Sequence, residues 1–250
     1  MIKSLLCKSI IAAIICCGLE GFSADLMLNL ESKDGKFQDT GDNKLDIGNV
    51  GGATRINVKN LAVMQIPLNG RLSIPGTPSL KYLSMGKDSM TLSAMVRITG
   101  TKGHAYVMCN GAGSYLGKGY RLGAMVTNGK INFYLLLVAK PFAPDKYNKV
   151  QIDTDAGKRP ESGTWIYVTA VVNRENEAVI HINGEVVGRG SIAGLAQEDL
   201  ASNYFYSTVT ASDGEPPCEM SIACITVNRG LISSVEIRQN AEKWLEVVKE

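Results

Sequence analysis

MTLSAMVRI, Met90 to Ile98, alternates residue by residue. Met90, Leu92, Ala94, Val96 and Ile98 fall on one face, with Thr91, Ser93 and Arg97 on the other. A period of two marks a strand, because successive side chains of an extended backbone point to opposite faces. One apolar and one polar face predict a half-buried strand of an antiparallel sheet. The neighbouring stretches repeat the theme. YRLGAMVT and KINFYLLLV flank Asn128-Gly129, and AVIHI and EVVGRG flank Asn183-Gly184. Asn-Gly accepts the two positive φ angles of a type I′ turn, so both pairs predict hairpins. WIYVTAVV (Trp165 to Val172) is apolar on both faces, as a central strand is. LMLNL (Leu26 to Leu30), RLSIP (Arg71 to Pro75), HAYVMC (His104 to Cys109) and SIACITV (Ser221 to Val227) add further strands. About ten short strands between Gly- and Asn-rich turns predict an all-β fold, a two-sheet antiparallel sandwich.

One helix stands apart at the C-terminus. Ser233 and Glu236 have the spacing of a capping box. Behind them Ile237, Ala241, Trp244, Leu245 and Val248 form one apolar helical stripe, in which Trp244 reads as a packing residue.

The 250 residues are 45% hydrophobic and 20% charged, a globular composition. A net charge of +2 is too small for an electrostatic footprint on nucleic acid, so no nucleic-acid partner is expected. Lys3 and Lys8 precede an apolar run, Ser9 to Leu19, that is shorter than the roughly 20 residues a membrane span needs. Small residues follow at Gly21, Ser23 and Ala24. This predicts a signal peptide over residues 1–24, then one domain over 25–250 with no membrane span after cleavage. The expected location is secreted, periplasmic or cell-surface.

Beyond residue 24 the cysteines are Cys109, Cys218 and Cys224. An exported chain can form disulfides. Cys218 and Cys224, six residues apart on a strand, stand about 20 Å from each other, too far to bridge. Two states stay open: a disulfide from Cys109 to one of the others, or three free thiols.

The order of the segments resembles a known family. RLSIPGTPSL, then MTLSAMVRITG, then GTWIYVTAVVNRENEAVIHINGEVVGRG, then MSIACITVNRGLISSVEI is similar to the laminin-G-like, concanavalin-A-like jelly roll of secreted bacterial proteins. The resemblance spans residues 26 to 245 and implies two curved antiparallel sheets packed face to face. Met95 stands where the family often has Trp. The family's range of functions includes lectins, glycoside hydrolases and adhesion modules, so the site has to be argued from its own residues.

A glycosidase needs two carboxyl groups, an acid and a nucleophile or base. The Glu-x-Asp-x-x-Glu type run of the family's glycanases is missing; Glu175 and Glu177 sit in a turn. His104 and His181, the only histidines, have no Ser or Cys nucleophile motif beside them. No catalytic residue is assigned.

The resemblance implies a calcium loop after the first strand. DTGDNKLDIGNVGGA matches it loosely, with Asp39, Asn43 and Asp46 in the corresponding positions and Asp42 as a further oxygen ligand. Ala223 and Cys224 replace an acidic pair that the family often carries near its last strand. Without calcium the stretch is a surface turn. For a ligand, NGAGSYLGKGYR gathers four glycines with Asn110, Tyr115, Tyr120 and Arg121, an amide–aromatic–guanidinium set suited to sugars. SNYFYSTVTASDGEPP adds Tyr204 and Tyr206. The expected function is an exported, non-catalytic carbohydrate-binding or adhesion domain whose partner is a glycan or a cell-surface or extracellular molecule. The alternatives are an assembly module of the envelope or an extracellular complex, and a glycoside hydrolase.

Overall fold

The computed structural model describes residues 25–33, 36–41, 43–45, 47–50, 52–58, 61–74, 83–111, 117–140, 148–202, 204–210 and 218–249. The expected signal segment, residues 1–24, lies outside them. In chain order the strands are β1 (Asp25–Lys33), β2 (Lys36–Asp39), β3 (Gly48–Val50), β4 (Thr54–Val58), β5 (Leu61–Ile66), β6 (Arg71–Ile74), β7 (Met90–Thr99) and β8 (Lys102–Asn110). There follow β9 (Gly119–Thr127), β10 (Lys130–Lys140), β11 (Asn148–Asp153), β12 (Trp165–Val172), β13 (Glu177–Ile182), β14 (Glu185–Ser191), β15 (Phe205–Thr210) and β16 (Glu219–Arg229). Helix α1 (Ser234–Val248) closes the chain.

They form two antiparallel sheets. The first runs β14-β13-β12-β7-β16-β1-β2, with the β4–β5 hairpin joined through β5 to β16. The second runs β11-β10-β9-β8-β15-β6-β3. Alternation along each strand decides what meets between them. Leu92, Ala94, Val96 and Ile98 of β7, Ile166, Val168 and Ala170 of β12, Leu122 and Ala124 of β9, and Phe133 and Leu135 of β10 share one buried cluster. The two Asn-Gly pairs turn as expected: φ is positive at Asn128 and Gly129, and at Asn183 and Gly184.

Strand β7 departs from its half-buried pattern, because both of its faces are covered. On the far side α1 lays Ala241, Trp244 and Val248 against Met95, Tyr167, Val63, Ala223 and Cys224. The polar members of that face find partners inside the protein: Thr91 Oγ1 donates to the Gly230 carbonyl, and Ser93 Oγ accepts from Thr169 Oγ1. Met95 therefore fills space beneath the helix and not between the sheets. The helix begins as its sequence dictates, with the Ser233 hydroxyl accepting from the Glu236 amide at 3.2 Å.

Candidate functional site

The two sheets differ in what lies on their outer faces. Helix α1 covers the first; among the described residues, no element packs on the second. On β8, β9 and β10 the residues that alternate with the core point out to this face. His104, Tyr106, Arg121, Met125, Asn132, Tyr134 and Leu136, with Gln151 of β11, line a cleft of about 300 Å³.

Gly123 makes room for it. It pairs with Tyr134 across β9 and β10, and a Cβ placed on it would stand 2.4 Å from Cζ of the tyrosine ring. Only a residue without a side chain lets that ring lie across the strand. Arg121 stacks on the Tyr106 ring at 4.1 Å from its centroid, and its guanidinium donates to the Tyr134 hydroxyl. Arg71 repeats the stack over Tyr206, at 4.2 Å. Buried Cys109 belongs to both arrangements: it pairs with Arg121 and with Tyr206 across the strands, and the Tyr206 hydroxyl bonds its sulfur.

Burial raises the Cys109 pKa, and the Tyr206 bond and the two guanidiniums only partly oppose that. The thiol is therefore neutral at physiological pH and a poor nucleophile. Burial likewise raises the pKa of Tyr134, against the bond from Arg121. The face thus offers phenol hydroxyls, the amides of Asn132 and Gln151, and guanidiniums held flat on rings. Met125 and Leu136 add apolar surface beside them. Stacking engages the plane of a guanidinium, whereas its hydrogen bonds run in that plane toward oxygen acceptors.

Of the ligand residues read from the sequence, only Arg121 falls in this cleft. Tyr120 does not, which corrects that expectation. As Arg121's neighbour it points the other way, is fully buried, and donates its hydroxyl to the Leu83 carbonyl at 2.9 Å. Asn110 is also fully buried, at the end of β8. Tyr115 lies outside the described residues. Tyr106, Tyr134 and Asn132 belong to no motif and stand outside the glycine-rich loop. Their signal was the period of two: each stands on the non-core face of its strand.

The loop after β2 closes on Asp39. Buried Asp39 accepts from the amides of Asn29 (3.0 Å), Gly41 (2.9 Å) and Leu45 (2.8 Å). Three N–H groups on one carboxylate close the turn. Asn43 lies in the same turn; Asp42 and Asp46 lie outside the described residues.

Of the two states left open for the cysteines, the structure has the second: Cys109, Cys218 and Cys224 are buried free thiols. The topology separates them. Cys218 reaches the His104 carbonyl near the start of β8, five residues or about 17 Å along the strand from Cys109. Cys224 lies on the first sheet beneath α1. His181 is buried on that sheet, with burial lowering its pKa and no partner for Nδ1. Glu175 is in a turn, and Glu177 approaches Arg189.

A second groove, of about 320 Å³, runs between α1 and the first sheet past Tyr167 and Trp244. Its polar groups serve one another: Asn29 donates to Thr40, Thr40 to Glu31, and Thr226 to Asn29.

The model of a laminin-G-like family, described as the concanavalin A-like lectin/glucanases superfamily, matches residues 73–238. None of the curated proteins matches the chain by sequence. Among solved structures, the binding domain of botulinum neurotoxin serotype C1 is similar at a TM-score of 0.69 and 13% identity, over 88% of this chain and 52% of that one. The binding domain of Paraclostridial Mosquitocidal Protein 1 gives the same values. The binding domain of botulinum neurotoxin DC in complex with SialylT gives 0.66 and 14%, over 88% and 51%. The chain spans about half the length of these structures, and at such identity the likeness is one of fold.

Proposed function

The chain belongs to the concanavalin A-like lectin/glucanases superfamily, and from that premise we propose that it is an exported, non-catalytic glycan-binding domain. The site we assign is the outer face of the second sheet. One observation carries this reading. Of the two outer sheet faces, one carries α1, while the other presents Tyr106, Arg121, Tyr134 and Asn132 around a cleft. Sugars offer hydroxyls in rings with apolar faces, and planar amides and guanidiniums beside aromatic and aliphatic carbon match both. The non-catalytic part is supported by the carboxylates of this face. Among the described residues it presents Asp153 alone, which already accepts from Asn132 and Gln151, whereas glycoside hydrolysis asks for two carboxyl groups.

An array of polysaccharides, followed by calorimetry and product analysis, tests the proposal. Binding in the micromolar to millimolar range is expected, since an open cleft buries little area. Tyr134→Ala should abolish it with the fold intact. Released sugars would overturn the non-catalytic reading, and binding unchanged in Tyr134→Ala would move the site elsewhere.

A further inference from the structure

Among the described residues of its strands, this face carries mostly positive charge. The alternation that brings Arg121 outward also brings Arg71, Lys102, Lys130 and Lys149 there, against Asp153. Lys130 pairs with Glu161 beyond the strand, and Asp153 is held by two side-chain amides. The whole chain carries only +2, so the excess is a property of one surface and not of the composition.

The cations are also arranged. Both arginines sit on tyrosine rings and on strands paired on both sides, Arg121 on β9 near the centre of the sheet and Arg71 on β6 beside the short edge strand β3. Lys102 and Lys130 stand at one end of their strands, and Lys149 on the edge strand β11. Arginine's planar fork matches a carboxylate or sulfate in two parallel hydrogen bonds, and a stacked guanidinium loses little freedom when it makes them. Lysines at the rim raise the local concentration of an anion and its rate of arrival. A neutral polyol needs neither feature. Nucleic acid is disfavoured by the same stacks, because the Tyr106 and Tyr206 rings that bases would stack on are covered by guanidiniums.

We propose that the ligand is an anionic glycan, whose carboxylate or sulfate groups are bound by Arg121 and Arg71. This rests on the glycan-binding reading above and narrows it to one ligand class.

Calorimetry on the full chain tests it with two matched pairs: oligogalacturonate against its carboxyl-reduced form, and dextran sulfate against dextran. A single-stranded oligonucleotide serves as a non-sugar polyanion. The expected result is binding of at least one anionic member about tenfold or more tighter than its neutral partner, weakening as salt rises. The pair that responds identifies carboxylate or sulfate. Arg71→Gln and Arg121→Gln should each lower affinity by about tenfold or more, as loss of a charge-assisted hydrogen bond does. Lys243→Gln, the same change of charge on α1, should leave affinity unaltered. Melting curves report folding; if Arg121→Gln is unstable, Arg121→Lys keeps the charge, loses the fork, and should still bind more weakly. Equal affinity for anionic and neutral members overturns this inference and leaves the glycan-binding reading standing. Oligonucleotide bound as tightly as the anionic glycan overturns it too. Binding to none of the four glycans overturns both.

Discussion

Gly123 shows how much one side chain can decide. A Cβ there would stand 2.4 Å from Tyr134 Cζ, so Gly123→Ala must push the ring off the strand. The expected outcome is a cost of about 1–3 kcal/mol in stability, from overpacking, and a loss of glycan affinity that Tyr134→Ala should reproduce. Melting and titration of both variants check it. Asp39 makes a contrasting case. Its carboxylate takes three backbone amides, so Asp39→Ala leaves buried donors unpaired and should cost on the order of 1–3 kcal/mol. The loss should be equal in chelator and in millimolar calcium, because the bonds that disappear are internal. A loss seen only with calcium would make Asp39 an ion ligand. Both residues stand in stretches whose sequence hides their roles: a glycine in a strand reads as a weak spot, and an acidic residue in a polar turn reads as a ligand.

At the scale of elements, α1 determines which sheet face remains open. Trp244 packs with Met95 and Tyr167, and Trp244→Ala should destabilise by about 3–5 kcal/mol. Glycan affinity should be unchanged below the new melting temperature, since the helix and the cleft lie on opposite sides of the sandwich. The β13–β14 hairpin is tied to the same layer. Asn183 adopts φ 51° and its Oδ1 accepts from the Tyr167 amide at 2.9 Å, while a Cβ on Gly184 would stand 3.1 Å from Cα of Arg238. Asn183→Ala gives up both the bond and a left-handed position that Asn tolerates, and should cost about 1–3 kcal/mol in denaturant unfolding. The equivalent turn at Asn128-Gly129 lies far from α1, next to the end of the candidate face where Lys102 and Lys130 stand.

For the molecule as a whole, His181 links stability to pH. It is buried on the first sheet, and burial lowers its pKa, so the folded state favours the neutral ring. Above the unfolded value of about 6.5 both states are neutral and the group adds no pH dependence. As pH falls below that value the unfolded chain takes up a proton that the folded chain resists, and stability declines until the folded pKa is passed. His181→Phe should flatten this part of the stability–pH curve, as urea titrations between pH 7.5 and 5 would show. A curve of unaltered slope would place the acid sensitivity elsewhere.

Ten of the sixteen strands among the described residues, both Asn-Gly hairpins, the capped C-terminal helix and the sandwich were legible in the sequence, because each rests on local chemistry: a period of two, turn residues that tolerate positive φ, a cap and an apolar stripe. The order of those segments also carried the family. Tertiary structure decided the rest. β7 shows an apolar and a polar face in sequence, yet both are buried, because whether a polar face meets water depends on what α1, far along the chain, packs against. Arg121 and Tyr120 sit side by side in a glycine-rich stretch; pairing between strands sends one to the open face and the other to the core. Cys109, Cys218 and Cys224 are kept apart by the same pairing. Arg71, Tyr106, Arg121, Tyr134 and Tyr206 come from five strands spread over 136 positions of sequence. No local pattern marks them as a group, since antiparallel pairing joins residues by register and strand order, and both are set only when the sheets close on their shared core.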